Sequence, residues 1–140
     1  MRYVLDCSVA IKWLVPEVDS DLAERWLERE QAGEIAFLAP DVLVAELGHT
    51  VRKHVLRGGL TANDAHSGLA EFLSMRIDFS PSLALAPQAL SLALGHVATF
   101  YDALYVALAQ REGVPVLTAD ARMAGAFSGL GRILTLGPPA

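Results

Sequence analysis

Short apolar runs alternate along the chain with longer stretches in which apolar residues recur every three or four positions. The short runs predict β-strands and the periodic stretches predict α-helices. The predicted strands are RYVLD, IAFLAP, RIDF, VPVLTAD and GRILTLG. Helical patterns separate every pair of strands, which predicts parallel strands joined by crossovers. We therefore expect a three-layer α/β/α domain with a central parallel sheet of about five strands.

Polar and glycine residues set the expected helix ends. Ser8 is placed to cap a first short helix, SVAIKWL, which stops before Pro16. Thr61 is placed to cap a later helix, and Gly58 and Gly59 stop the helix before it. Repeats, low-complexity tracts and linkers are absent from the sequence, so a single domain over residues 1–140 is predicted.

Composition narrows the protein class. The chain is 53% hydrophobic and 19% charged, which is typical of a packed globular domain. Its apolar runs are too short or too interrupted to cross a bilayer, and the N-terminus lacks a signal-peptide pattern because Asp6 interrupts the first run. A cytoplasmic protein with no membrane association is predicted. The single cysteine, Cys7, is expected to be a small buried side chain.

Two acidic residues stand where predicted strands give way to helices. Asp6 follows RYVL, and Asp120 ends VPVLTAD. Ligands of open parallel sheets bind beyond the carboxyl ends of the strands, and both carboxylates are delivered to that edge. Helix capping is the alternative for each residue, since Asp is a preferred N-cap.

Two further acids lie in apolar surroundings. Glu46, in VLVAELGHTV, falls on the border of the stripe formed by Leu43, Leu47 and Val51. Asp102, in FYDALYVALA, begins a helix so apolar that it must be largely buried. A surface ion pair for Glu46 and a favourable helix-dipole position for Asp102 are the alternatives.

Clustered carboxylates repel one another, and a hard divalent cation relieves that repulsion. Oxygen ligands without His or Cys indicate Mg²⁺ or Mn²⁺ rather than zinc. A metal held by acids at a sheet edge suits hydrolysis of phosphodiester bonds. The net charge of −5 argues weakly against a nucleic-acid substrate, but these four acids account for most of it, so the rest of the chain is nearly neutral.

Three segments resemble the PIN-domain ribonucleases, specifically the VapC-type toxins of bacterial and archaeal toxin–antitoxin pairs. They are VLDCSVAIKWLVPE, APDVLVAELGHTVRK and TFYDALYVALAQREGVPVLTADARMAGAF. The resemblance implies a Mg²⁺- or Mn²⁺-dependent endoribonuclease whose catalytic, metal-binding acids are Asp6, Glu46, Asp102 and Asp120. It also implies supporting hydroxyls near the first and last acids, which Ser8 and Thr118 supply. Helix capping by Ser8 and strand packing by Thr118 are the alternatives.

The resemblance further implies an RNA substrate, a cognate antitoxin protein and a toxin homodimer. Trp13, Leu14, Trp26 and Leu27 are candidates for an antitoxin groove, although such residues more often belong to the core. Lys53 and Arg57 lie in line with Glu46 on its helix and are candidates for contacting RNA, with a solvated helix face as the alternative.

Other classes of protein fit the sequence less well. Glycine-rich phosphate loops are absent, and the second Asp that haloacid-dehalogenase enzymes carry is replaced by Ser8. The remaining alternative is a PIN-like module that binds RNA or a protein without catalysis. The intact set of four acids argues against it.

Overall fold

The computed structural model describes residues 1–130 and 132–136. In this part of the chain there are five strands, seven α-helices and one short 3₁₀-helix. They are β1 (Arg2–Leu5), α1 (Cys7–Leu14), α2 (Ser20–Gln31), β2 (Ala36–Pro40), α3 (Val42–Leu56), α4 (Ala62–Leu73), β3 (Asp78–Ser80), α5 (Ser82–Gly95), α6 (Phe100–Glu112), β4 (Val116–Thr118), α7 (Ala121–Ala126), the 3₁₀-helix (Ser128–Leu130) and β5 (Ile133–Thr135).

The strands form one parallel sheet in the order β3-β2-β1-β4-β5. At its centre Val4 of β1 pairs with Leu38 of β2 on one side and with Val116 of β4 on the other. The chain moves outward from β1 in one direction and then returns to place β4 on its other side. The carboxyl ends of β1 and β4 therefore flank the crevice where such sheets bind ligands.

The helices cover both faces of the sheet. Crossovers between parallel strands are right-handed, so the reversal of strand order places α1 to α4 on one face and α5 to α7 on the other. The packing agrees, because α1 contacts α2, α3 and α4, whereas α5 contacts α6. The predicted three-layer α/β/α architecture is confirmed.

The core is centred on α6. Its residues 103–109 are buried without interruption, as expected for a helix that is apolar on every side. No single helix in the described ranges is long and apolar enough to span a membrane; α5 and α6 together reach that length but meet at a 117° bend. Cys7 is buried and unpaired, as predicted.

Several sequence-based boundaries need correction. The predicted strand VPVLTAD, residues 114–120, is shorter in the structure, where β4 is Val116–Thr118. The first helix begins at Cys7, and Asp6 rather than Ser8 is its N-cap. The third strand begins at Asp78 rather than Arg76, because its pairing with β2 starts where Asp78 lies opposite Leu38. The predicted last strand is present as Ile133–Thr135, while Gly131 and Gly137 at its predicted ends lie outside the described residues.

Candidate active site

Asp6 stands immediately after β1 and is only 5% exposed. Its Oδ2 atom accepts hydrogen bonds from the Ser8 hydroxyl at 2.5 Å and from the Thr118 hydroxyl at 2.8 Å, and it also caps the Ser8 backbone N–H at 3.4 Å. A buried carboxylate is stable only when such donors replace water. The two hydroxyls therefore hold the Asp6 side chain in one orientation.

Ser8 and Thr118 connect the ends of the two central strands. The Ser8 Oγ accepts from the Ala119 backbone N–H at 2.8 Å, and the Thr118 Oγ1 accepts from the Asp120 backbone N–H at 3.0 Å. The two hydroxyl oxygens are 3.1 Å apart. Because each hydroxyl also contacts Asp6, both residues are part of the network around that carboxylate, and Thr118 is more than strand packing.

Asp120 lies after β4, the strand beside β1, and is the N-cap of α7. Its Oδ1 atom accepts from the backbone N–H groups of Arg122 at 2.9 Å and Met123 at 3.3 Å. Its Oδ2 atom is 3.4 Å from the Arg122 guanidinium. Capping therefore uses one carboxylate oxygen, and the other pairs with Arg122, so capping and a site role are compatible.

Glu46 and Asp102 reach the same edge from opposite helix layers. Glu46 lies on α3, half-buried, and its Oε1 atom accepts a 2.8 Å hydrogen bond from the hydroxyl of Tyr105 on α6. Asp102 lies one turn before Tyr105 on α6, and its backbone N–H donates to Thr99 Oγ1 at 3.0 Å. The Glu46–Tyr105 bond thus joins the two layers beyond the strand ends.

The carboxyl groups perturb one another. Burial raises the pKa of Asp6 above the ordinary Asp value, and the charge of Asp120 raises it further, although hydrogen bonds from Ser8 and Thr118 oppose the rise. Burial also raises the pKa of Glu46 and that of Asp102, with further increases from the charge of Asp6 in both cases. These effects identify one neighbourhood of mutually repelling acids.

Arg122 partly neutralises this neighbourhood. Its Nη2 atom lies 3.4 Å from Asp120 Oδ2 and 3.9 Å from Asp102 Oδ2. Within the described residues, no three His, Cys, Asp or Glu side chains are arranged as a ready-made metal site. The donor set nevertheless suits a hard divalent cation, because all four side chains offer carboxylate oxygen and the acids still raise one another's pKa values in the presence of Arg122.

The two predicted basic residues lie farther away. Lys53 and Arg57 are exposed on and just after α3, about 10 Å and about 16 Å along the helix axis from Glu46. The Thr50 hydroxyl, between them and Glu46, donates to the Glu46 backbone carbonyl at 2.9 Å. The basic pair therefore extends away from the acids and makes no contact with them.

Sequence reasoning missed Tyr105 and Arg122. Tyr105 is fully buried, and burial raises the pKa of its phenol, so it remains a proton donor to Glu46. Its spacing of three residues from Asp102 was a usable signal, because such pairs share a helix face. The sequence also carried a signal for Arg122: it follows Asp120 by two residues at the start of a helix, and residues so placed lie close in space.

Three of the four residues predicted to form an antitoxin groove line one cavity. Trp13, Leu14 and Leu27 line a cavity of about 220 Å³ between α1, α2 and α4, with Glu24 and Glu71 also lining it. Trp26 is not part of its lining; its ring packs edge-on against Tyr3 and under Arg29. Trp26 therefore packs against Tyr3 of β1, outside this cavity.

Comparison with known proteins agrees with the fold. The family model of the PIN domain matches residues 3–126. Ribonuclease VapC3 of Pyrobaculum aerophilum is 35% identical over 134 residues, which are 93% of this chain and 98% of that protein.

Two solved structures share the fold at lower identity. The Mycobacterium tuberculosis toxin VapC20, described as cleaving the sarcin-ricin loop, superposes with a TM-score of 0.70 at 17% identity and covers 98% of this chain and 99% of its own. VapBC2 of Rickettsia felis, solved with a DNA fragment of its promoter, superposes with a TM-score of 0.65 at 18% identity. The match covers 96% of this chain and 97% of that chain. From the extent of the PIN-domain match and the identity to VapC3, this chain belongs to the PIN-domain family and to its VapC group.

Proposed function

We propose that this protein is a Mg²⁺- or Mn²⁺-dependent endoribonuclease that acts as the toxin of a toxin–antitoxin pair. The observation that carries the proposal is the mutual electrostatic effect of four acids, Asp6, Glu46, Asp102 and Asp120: burial and the charges within this set raise the pKa of Asp6, Glu46 and Asp102. Similarity to a VapC ribonuclease at 35% identity supports RNA as the substrate.

The same four acids are the proposed metal ligands. Bound among them, a divalent cation would polarise a phosphate oxygen and lower the pKa of an attacking water. Asp6 is the best-positioned ligand, because two hydroxyl donors fix its Oδ2 and leave Oδ1 without a side-chain partner among the described residues. Tyr105 likewise fixes one oxygen of Glu46. Fixed ligands of this kind hold substrate and metal without further ordering of the site.

Asp120→Asn tests the proposal. Asn can still cap α7, so a purely structural residue would tolerate the change. Loss of one carboxylate charge should lower RNA cleavage by at least about 100-fold, since even residues that only support metal ligands are worth about 10- to 100-fold. Expression of the wild-type chain alone should arrest growth, and the variant should not.

Asp78→Asn is the matched control, because Asp78 is an exposed Asp at the opposite end of its strand. It should cleave RNA like the wild type. A folded Asp120→Asn protein with wild-type cleavage would refute the four-acid site, and metal-supplied wild-type protein that binds RNA without cleaving it would favour a non-catalytic module.

Substrate contacts of Lys53 and Arg57 are proposed from their placement on the helix that carries Glu46. Positive side chains spaced along a surface contact successive phosphates of a nucleic-acid strand. Changing both to Ala should weaken RNA binding and leave the turnover of bound RNA nearly unchanged.

The antitoxin is proposed to bind in the groove lined by Trp13, Leu14 and Leu27. The groove is lined by these apolar residues together with Glu24 and Glu71. This lining is complementary to an amphipathic helix that carries basic residues beside its apolar face. The Rickettsia felis VapBC2 structure supports an antitoxin as the partner. A cytoplasmic location remains a prediction.

A homodimer is proposed through an apolar stripe on α5. Leu83, Leu90 and Leu94 recur on one face of that helix and are 89%, 51% and 80% exposed. One helix face can meet its own copy across a two-fold axis, which buries the stripe on both chains. Leu94→Glu should convert the dimer to a monomer in sedimentation measurements.

A further inference from the structure

Arg122 is fixed at its backbone and largely exposed at its side chain. Asp120 Oδ1 accepts from the Arg122 backbone N–H, so the residue is anchored at the start of α7. The side chain is 74% exposed, and both acids that it approaches share its single Nη2 atom. Among the described residues, no acceptor contacts its Nε or Nη1. Donors of the guanidinium are thus left facing solvent.

The contacts of Arg122 with the acids are weak enough to be exchanged. Exposed ion pairs are worth about 0.2–1 kcal/mol, and the separations of 3.4 and 3.9 Å are long. A divalent cation carries twice the charge of a guanidinium and takes carboxylate oxygens as direct ligands. Metal binding at these acids therefore competes with Arg122 for Asp102 and Asp120.

The position of Arg122 also suits a phosphate group. Arg122 and Asp102 both line an open cavity of about 310 Å³, together with Thr99 and Ala98. A guanidinium released there stays beside the acids because its backbone does not move. Guanidinium groups bind phosphate through paired N–H donors and cannot be neutralised at physiological pH.

We propose that Arg122 has two successive ligands: it neutralises Asp102 and Asp120 before metal binds, and it holds a phosphate of the RNA after metal has replaced it. The inference rests on the proposed function and assigns Arg122 as a substrate-binding residue of that site. Arg122 then has opposite effects on the two ligands: it weakens metal binding and strengthens RNA binding.

Metal affinity is the first test, measured by titrating Mn²⁺ into the purified chain without RNA. Arg122→Ala should bind Mn²⁺ about 1.4- to 5-fold more tightly than the wild type, the range that corresponds to an exposed ion pair. Arg122→Lys keeps the charge and should resemble the wild type. Arg76→Ala is the matched control, because Arg76 is exposed at the amino-terminal edge of the sheet. Unchanged or weaker binding in Arg122→Ala overturns the first half of the proposal.

The second test concerns the contact between Arg122 and RNA. It measures how kcat/KM for a short unstructured RNA depends on the concentration of monovalent salt, at saturating Mn²⁺. Each phosphate contact to single-stranded RNA contributes about 0.7 to the slope of log affinity against log salt. Arg122→Ala should therefore reduce the slope by about 0.7, whereas Arg122→Lys and Arg76→Ala should retain it. An unchanged slope in Arg122→Ala overturns the phosphate contact.

Failure of the two ideas can be told apart. If the wild type binds Mn²⁺ and cleaves RNA while Arg122→Ala matches it in both measurements, the role of Arg122 is wrong and the proposed function stands. If the wild type neither binds Mn²⁺ nor cleaves RNA, the proposed function is wrong, and the role of Arg122 is rejected with it.

Discussion

Thr118 Oγ1 donates a 2.8 Å hydrogen bond to Asp6 Oδ2, although the two residues are 112 positions apart in the sequence. They meet because β1 and β4 are neighbouring parallel strands, and each residue lies at the carboxyl end of its strand or just beyond it. The same Thr118 oxygen accepts from the Asp120 backbone N–H. One buried hydroxyl therefore orders the loops that carry the first and last acids of the site.

Thr118→Val should impair both stability and cleavage. Valine has the shape of threonine, but it leaves Asp6 without one donor and the Asp120 N–H without an acceptor. We expect a loss of about 1–3 kcal/mol in the free energy of unfolding and a fall of about 10- to 100-fold in RNA cleavage. Urea unfolding and a cleavage assay on the same preparation measure both.

Thr118→Ser is the control for that change, since it keeps the hydroxyl and removes only a methyl group. It should retain most of the cleavage activity. Full activity in Thr118→Val would mean that the hydroxyl network has no part in the chemistry.

The position of the strand-end acids was predictable because it follows from topology. Asp6 and Asp120 come directly after apolar runs, and parallel strands bring such residues to one edge whatever the loops do. Glu46 was predictable from periodicity, since the buried Leu43, Leu47 and Val51 fix the side of α3 that faces the core.

Contacts between separate elements were not predictable in the same way. The hydrogen bond from Tyr105 to Glu46 depends on the relative placement of α3 and α6, which no local pattern specifies. The start of β3 depends on its pairing with β2 rather than on the sequence RIDF. Asp6 replaces Ser8 as the N-cap because the helix begins one residue earlier than the apolar pattern indicates.

Tyr105→Phe should lower RNA cleavage by about 10-fold, because Glu46 then loses the only side-chain donor that the described residues give it. Packing is conserved, so the expected loss in the free energy of unfolding is about 1 kcal/mol. Cleavage rates and urea unfolding measure the two effects.

Tyr3→Phe is the matched control: it removes a hydroxyl that contacts Met1 Sδ, away from the acids. Its cleavage rate should equal that of the wild type. Equal rates for Tyr105→Phe and Tyr3→Phe would contradict a positioning role for Tyr105.

Metal binding should stabilise the fold through the four acids. A ligand bound only by the native state stabilises it by about 2.7 kcal/mol at a concentration 100-fold above its Kd. Millimolar Mg²⁺ or Mn²⁺ should therefore raise the Tm of the wild type. The double variant Asp6→Asn, Asp102→Asn should show no comparable rise, and an equal rise would trace the effect to ionic strength or to another site.

Asp6→Asn should stabilise the metal-free protein at neutral pH. Burial raises the pKa of Asp6, so between its ordinary value and the raised value the native state binds more protons than the unfolded state. Stability from this group is fully present below the ordinary pKa and is lost as the pH rises through the raised one. At neutral pH, above the ordinary value, ionisation of Asp6 therefore stabilises the unfolded state more than the native state, which lowers the stability of the wild type. Asn does not titrate and still accepts hydrogen bonds.

Guanidinium chloride unfolding at several pH values, without metal, measures this difference. The variant should be more stable than the wild type by about 1 kcal/mol at neutral pH, and its advantage should shrink as the pH falls toward about 4, where Asp6 becomes protonated in both states. The pKa values of Glu46 and Asp102 are also raised, so part of the pH dependence should persist in the variant. Asp78→Asn, exposed and distant, should change stability by less than about 0.5 kcal/mol. The opposite result, a wild type more stable than Asp6→Asn without metal, would show that the hydroxyl donors outweigh burial. Asp6 would then be a carboxylate that stabilises the fold, rather than one that lowers stability and is kept for metal binding.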